Sequence, residues 1–498
     1  MKRSDSNFGI VLNYILIMLT NISSLVLTPT LISGMGKGGY GIYQLVFSVM
    51  TLMIVADFGI GTAMIKNLAN YNAEGDGKGR ENFLYWSFFC YLIFMGAAVV
   101  FCVLLGILSP FILRNFTGSE TALYMKMLAA MGANTVVLFF QNYFFSVIAG
   151  FEKFIYTRIC NIARVIARTG LFYAMVVLKK DPASLFLVDI ALNILILILY
   201  VIYVKKLDIR IKNHGYESSE FKKNIKNMLS LYIMPVAENS YWMLSNLIIA
   251  AVFGPDDVTI FALAATFGLI FQQIIGTISY FKMPKVSNIW NNREEFREKY
   301  VFESSCFQAA LSGAVLIGFT VFGHTFLKVW TGISHETIYY IGLVMMSALF
   351  FPLSQAMLEM VLYAQNKYFW RAALMVLTTV LNTVLMLFFS RAFGIFGTAA
   401  AVFVSMIVVR FVLMDVLYIK SGLGFKKFTV GVVFRILPLT AAAMALGIIV
   451  DRMFFENMGL TLLLGLAIFI VYLFSLYFFY LPDSQKQDLR NLIFRRKS

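Results

Sequence analysis

Two arginines one helical turn apart, Arg164 and Arg168, stand in the otherwise apolar stretch FIYTRICNIARVIARTGLF. At 100° per residue, Thr157, Arg158, Asn161, Arg164 and Arg168 fall within about a third of a helix circumference. An arginine at the centre of a bilayer costs about 3 kcal/mol, so the pair would cost about 6 kcal/mol facing lipid and must face inward. Two stacked guanidinium groups in a wet setting make a receptor for phosphate oxygens, because arginine stays charged and donates in a bidentate fork. The competing reading for Arg164 is a buried ion pair with Glu238.

Glu238 itself lies in MLSLYIMPVAENSYWMLSN together with Pro235, Asn239 and Asn246. A carboxylate at that depth either takes up a proton or Na⁺ and couples to a gradient, or is a static partner of an arginine. Further polar groups sit in apolar runs at Gln272, Gln273, Pro352, Gln355 and Glu359. A proline inside a span frees backbone carbonyls and permits bending. The substrate-binding candidates are therefore Arg164, Arg168, Asn161, Gln272 and Gln355. Glu238 is the ion-coupling candidate, and Pro235 and Pro352 are the bending points. Arg410, Asp415 and Arg435 are also intramembrane charges, with no role assigned.

Other chemistry is poorly supplied. Cys90, Cys102, Cys160 and Cys306 fall in apolar segments without metal-ligand spacing and read as core filler. His214, His324 and His335 are scattered along the chain, and no H-E-x-x-H, P-loop or nucleophile elbow occurs. The string SGMGKGGYG spells G-x-G-x-x-G through Gly34, Gly36 and Gly39, with Asp57 downstream. A dinucleotide site needs a strand entering those glycines, whereas long apolar runs flank them, so they read as a turn between two membrane helices. No catalytic residue, metal or cofactor is expected, and the chain is not read as an enzyme.

The elements that must hold these residues are membrane helices. Hydrophobic residues make up 60% of the chain and charged ones 13%, with a mean hydropathy of +0.79, far from a soluble domain. The expected fold is all-α and polytopic, with about fourteen transmembrane helices of bilayer-spanning length. The first set covers Phe8 to Ile32, Tyr40 to Thr62, Phe83 to Leu108, Leu123 to Ile148, Phe154 to Leu178, Leu185 to Val204 and Met228 to Phe253. The second covers Val258 to Tyr280, Val301 to Phe326, Thr337 to Tyr363, Trp370 to Ser390, Thr398 to Ile419, Val430 to Val450 and Leu460 to Tyr480. The first run follows MKRSDSN without a small-residue cleavage site and reads as an uncleaved helix.

Lysine and arginine concentrate in alternate loops, densest in KKLDIRIKNHGYESSEFKKNIKN, in KMPKVSNIWNNREEFREK and in the tail QKQDLRNLIFRRKS. Both termini are therefore expected on the cytoplasmic side of a bacterial inner membrane. A net charge of +15 fits a protein facing anionic lipids and needs no nucleic-acid partner.

The long basic loop divides the first twelve spans into two sets of six that repeat. GFEKFIYTR and AQNKYFWR place Lys153 and Lys367 214 residues apart, and IKNLANYN and FKMPKVSN place Lys66 and Lys282 216 apart. The turn at Gly36 likewise answers FGPDDVTIFA. The expected organisation is a six-helix bundle at 1–204, a linker at 205–227, a second six-helix bundle at 228–420, two extra helices at 421–480 and a basic tail at 481–498. Halves inserted in the same orientation imply a pseudo-two-fold axis around a central cavity, with a substrate site between them.

The strings GKGGYGIYQLVFSV, DFGIGTAMIKNLAN, GFEKF, FGPDDVTIFALA, FLKVWTG and FGIFGTAAAVFVS, in this order and spacing, are carried over most of the chain. With them the sequence resembles the polysaccharide transporter branch, the Wzx-type O-antigen flippases, of the multidrug/oligosaccharidyl-lipid/polysaccharide exporter superfamily. The resemblance implies alternating-access transport of an undecaprenyl-pyrophosphate-linked oligosaccharide, destined for O-antigen, capsule or exopolysaccharide, to the periplasmic leaflet. It implies coupling to H⁺ or Na⁺, a monomer, and a polysaccharide polymerase and chain-length regulator as partners. Asn246 stands where the family often carries an acid, which shifts the coupling role toward Glu238. Alternatives are a lipid II flippase, a multidrug or cation antiporter of the same superfamily, and a membrane glycan polymerase or ligase. The Arg pair argues against the antiporter, and the short external loops argue against the last.

Overall fold

The computed structural model describes residues 3–55, 60–207, 209, 211–213, 236–292, 294–365 and 367–487. Pro235, Asp57 and most of the expected linker lie outside them. Among the described residues the chain is helical and without strands. The helices are α1 (Arg3–Val55), α2 (Ile60–Glu74), α3 (Gly77–Ile112), α4 (Gly118–Gly150), α5 (Phe154–Val177), α6 (Ser184–Lys206) and α7 (236–252). They continue as α8 (Pro255–Asn292), α9 (Glu294–Trp330), α10 (His335–Ser354), α11 (Ala356–Ala364), α12 (Tyr368–Ser405), α13 (Met414–Lys420), α14 (Arg435–Phe454) and α15 (Met458–Ser475). π-helical turns at Met406–Leu413 and Lys426–Phe434 run into α13 and α14, and a third follows α15 at Leu476–Tyr480.

Eleven helical segments among the described residues are long and apolar enough to cross a bilayer. About fourteen spans are expected from hydropathy, and the difference has a local cause. Gly36 (φ 73°) and Gly394 (φ 61°) interrupt α1 and α12 with a backbone conformation that side chains other than hydrogen rarely tolerate. The chain folds back there. Thr28 Oγ1 and Tyr40 OH lie 3.5 Å apart across Gly36, where a straight helix would separate twelve residues by about 18 Å. Ser405 Oγ reaches Asn382 Oδ1 at 3.5 Å across Gly394, against about 34 Å for a straight helix. Each of these segments thus consists of two helical arms, and α7 is short where it is described. The glycine string of the sequence is this turn; at Gly41 a Cβ would also collide with the Pro255 carbonyl.

The helix ends follow ordinary capping chemistry. Asp76 accepts from Gly79 N at the start of α3, and Thr117 and Glu120 form a reciprocal capping box on α4. The expected span from Thr337 to Tyr363 is broken: α10 stops at Ser354, just past Pro352, and α11 restarts at Ala356. A proline withholds the donor that would continue the ladder.

The chain divides into two compact units, Met1–Thr259 and Ile260–Ser498. In the first, α1 packs on α4 and α5, α4 on α2, α3 and α6, and α5 on α6. Helix α7 also belongs here: Asn246 Nδ2 donates to Ser48 Oγ at 2.8 Å, and Asn115 Nδ2 donates to the carbonyls of Ala251 and Val252. In the second unit, α9 packs on α10, α14 and α15, and α12 on α10. Its core at one end collects Met357, Leu358, Val361, Leu362, Met414 and Phe428. Large apolar side chains such as Ile93, Phe111, Leu463 and Val471 are more than 60% exposed, an arrangement stable only where lipid is the solvent.

Candidate functional site

Helices α5 and α6 run antiparallel, and their facing polar residues pair rung by rung. Arg168 donates from Nε to Asp189 Oδ1 at 2.7 Å and from Nη2 to Asp189 Oδ2 at 3.2 Å. Its Nη2 also donates to Tyr43 OH on the second arm of α1 at 2.9 Å, and the guanidinium lies over the Phe172 ring. Arg168 is thereby neutralised and held from three sides.

One turn along, Arg164 meets no acid among the described residues. Its Nη1 donates to Asn193 Oδ1, and Asn193 Nδ2 in turn donates to Asn134 Oδ1 of α4 at 2.8 Å. The acceptor of Arg164 is this neutral amide, not the Glu238 carboxylate, and Arg164 Nε is buried without a hydrogen-bond partner. Farther along the same face Asn161 Nδ2 donates to the Thr157 carbonyl at 3.0 Å and to Tyr200 OH at 3.3 Å. Among the described residues the seam therefore sets two guanidinium groups, Arg164 and Arg168, against one carboxylate, Asp189.

Asp189 and Asn193 are partners the sequence reading passed over. Their signal was present: in LFLVDIALNILILILY they are the polar residues in an apolar run, spaced by four like Arg164 and Arg168. Beyond the far end of α5, a cavity of about 730 Å³ is lined by Thr30, Ser33, Tyr173, Lys179, Lys180 and Ser184. Glu238 is half-buried on α7 and its carboxylate is not free.

The remaining expected residues belong to the second unit. Gln355 is fully buried at the break between α10 and α11, where its Nε2 donates to Asp415 Oδ1 at 2.7 Å and Thr429 Oγ1 donates to the same oxygen at 2.9 Å. It closes an interrupted helix in a packed interior. Gln272 is half-buried on α8. Glu359 is clamped between Arg371 Nη2 at 2.5 Å and Arg410 Nη2 at 3.2 Å, all three buried. This triad accounts for Arg410, one of the intramembrane charges to which the sequence assigned no role.

The cysteines Cys102, Cys160 and Cys306 are buried and Cys90 half-buried, all as free thiols. Among the described residues no group of His, Cys, Asp and Glu converges to hold a metal. Two of the histidines are not scattered in space: His324 and His335 meet, with Asp451 beside them.

The fold has known counterparts. A multidrug resistance MATE family transporter of the MOP superfamily in its inward-facing conformation is 16% identical, with 83% of this chain and 99% of that chain covered and a TM-score of 0.65. The lipid II flippase MurJ, inward closed, is 13% identical over 95% of this chain and 98% of that one, with a TM-score of 0.67. A MOP superfamily transporter from Pyrococcus furiosus, whose binding pocket is described as reversed in polarity, is 14% identical over 84% and 94% of the two chains, with a TM-score of 0.54. No curated protein matches the sequence. The family model described as polysaccharide biosynthesis protein matches residues 8–290. That match spans more than half of the chain, which belongs to the polysaccharide biosynthesis protein family as a multi-pass membrane protein with the fold of the MOP-superfamily transporters.

Proposed function

We propose that this protein is a flippase that moves an undecaprenyl-pyrophosphate-linked oligosaccharide from the cytoplasmic to the periplasmic leaflet of a bacterial inner membrane, by alternating access driven by a H⁺ or Na⁺ gradient. The observation that carries the reading is Arg164: a half-buried guanidinium with no paired carboxylate among the described residues and with Nε buried and unsatisfied, one turn from an arginine paired with Asp189. A buried donor without a partner is costly, and a pyrophosphate oxygen is the acceptor such a fork suits best. A cationic seam also suits an anionic cargo better than the organic cations of a drug antiporter. The basic cytoplasmic loops and tail support the proposed orientation, with both termini inside.

A lipid II flippase is the second reading, favoured by the MurJ likeness over nearly the whole chain. The two cargos share a polyprenyl pyrophosphate and differ in the glycan. The test is a deletion strain assayed for surface polysaccharide and for the leaflet location of lipid-linked repeat units. Loss of surface glycan with repeat units held on the cytoplasmic side supports the proposal. Normal glycan with stalled peptidoglycan precursors overturns it in favour of lipid II.

A further inference from the structure

We infer that Asp451, His324 and His335 form a proton-binding relay through which the second unit takes up the proton that drives transport. The three residues come from α14, α9 and α10 and form one hydrogen-bonded chain. His324 Nδ1 lies 2.8 Å from Asp451 Oδ2, and His324 Nε2 lies 3.0 Å from His335 Nδ1. Asp451 and His324 are buried, whereas His335 is half-buried and gives the chain an open end.

The tautomers follow from this geometry. A carboxylate only accepts, so His324 carries its proton on Nδ1 and donates it to Asp451. His324 Nε2 then accepts from His335 Nδ1–H, and the lone pair of His335 Nε2 is left at the open end. A proton arriving at His335 Nε2 releases the proton on His335 Nδ1 to His324 Nε2. His335 is left neutral in its other tautomer, and His324 becomes an imidazolium against the Asp451 carboxylate. One proton enters and one charge moves inward, with no further reactant.

The surroundings suit a charged His324. Its ring stacks on Phe455 at 3.8 Å and on Tyr339 at 4.9 Å, faces that attract a cation. The other charged groups near the chain are Lys328 on α9, Glu336 on α10 and Arg452 on α14, with the phenols of Tyr339 and Tyr340 on α10. Helix α15, which also packs on α9, carries no Asp, Glu, His, Lys or Arg, and its one phenol, Tyr472, hydrogen-bonds Thr440. Two histidines sharing a hydrogen bond cannot titrate independently, so the chain binds its protons as one unit. In the proposed orientation, the turn between α9 and α10 lies on the extracytoplasmic side, where a proton gradient delivers protons. The driving role rests on the transport reading; the coupled proton binding does not.

The experiment uses the full chain in nanodiscs with isotope-labelled histidine, which gives three imidazole signals because the chain has three histidines. H324Q and H335Q assign the signals, and His214 serves as the internal reference. Mutually dependent titrations of His324 and His335, both displaced by D451N with His214 unmoved, are the expected result. Independent titration of the two, unchanged in D451N, overturns the relay. The same protein in vesicles loaded with a pH-sensitive dye is then given a short-chain polyprenyl-pyrophosphoryl disaccharide. The expected result is disaccharide-dependent proton entry in the unsubstituted chain, lost in H324Q and H335Q. Full entry in both variants overturns the driving role. Vesicles of the unsubstituted chain that move no disaccharide at all overturn the transport reading instead, and the imidazole titration still decides the relay.

Discussion

Asp189 takes two hydrogen bonds from Arg168, at 2.7 and 3.2 Å, while Asn193, one turn farther along α6, gives Arg164 only a neutral amide. Two adjacent rungs of the same helix pair thus hold the same cation in different electrostatic states. The first rung pairs a cation with a carboxylate, and the second pairs it with an amide.

Removing the acid from the first rung should destabilise the helix pair. Asp189→Asn leaves the half-buried Arg168 against a neutral group, and about 3 to 5 kcal/mol, the cost of breaking a fully buried pair, is the upper bound on the loss. The expected outcome is a large fall in the thermal unfolding midpoint of the purified protein, mostly recovered in the double variant Asp189→Asn, Arg168→Gln. A midpoint unchanged in Asp189→Asn would show that the pair carries no stability.

The second rung should respond in the opposite sense. Asn193→Asp places a carboxylate against Arg164, and Asn134 can turn its amide to donate to it. Stability is expected to hold or rise while export is lost, because the Arg164 charge is then cancelled internally. Export equal to the parent protein would remove Arg164 from the substrate site.

Arg164→Ala should insert normally, since it deletes a costly intramembrane charge. Losing a charge-assisted hydrogen bond of about 1.5 to 3 kcal/mol weakens pyrophosphate binding roughly 10- to 100-fold. Arg164→Lys should recover little, because an ammonium lacks the planar fork. Competition by a polyprenyl pyrophosphate in a binding assay on both variants measures this directly.

In the second unit, Glu359 holds Arg371 and Arg410 together. Glu359→Gln strands two buried guanidinium groups, and a loss of about 3 to 5 kcal/mol is expected. Chemical unfolding followed by tryptophan fluorescence would register it, and a change below about 1 kcal/mol would place the triad among ion pairs of negligible worth.

Gly394→Ala tests the fold-back of α12. A side chain at φ 61° and ψ −146° costs about 1 to 3 kcal/mol, because that region is open essentially to glycine alone. Lower yield and a lower unfolding midpoint are expected, with the Arg164–Asn193 pairing in the first unit unaffected.

How much of this was legible beforehand depends on the range of the interaction involved. Hydropathy runs, the glycine turn at Gly36 and the inward face of Arg164 and Arg168 are properties of a few consecutive residues, so periodicity and the cost of charge in lipid were enough to read them. The number of continuous helices was not, because the backbone at Gly36 and Gly394 keeps helical segments on both sides of each reversal. Nor could sequence spacing tell which arginine is neutralised: Asp189 and Asn193 lie 21 and 29 residues from the groups they meet, and only the antiparallel packing of α5 on α6 sets one opposite Arg168 and the other opposite Arg164. The relay needed tertiary structure most of all, since His324 and Asp451 are separated by 127 residues and meet only because α9 and α14 pack side by side. The sequence by itself determined a helical membrane protein with inward-facing cations; the packing of those helices decided which charges cancel and which are left to act.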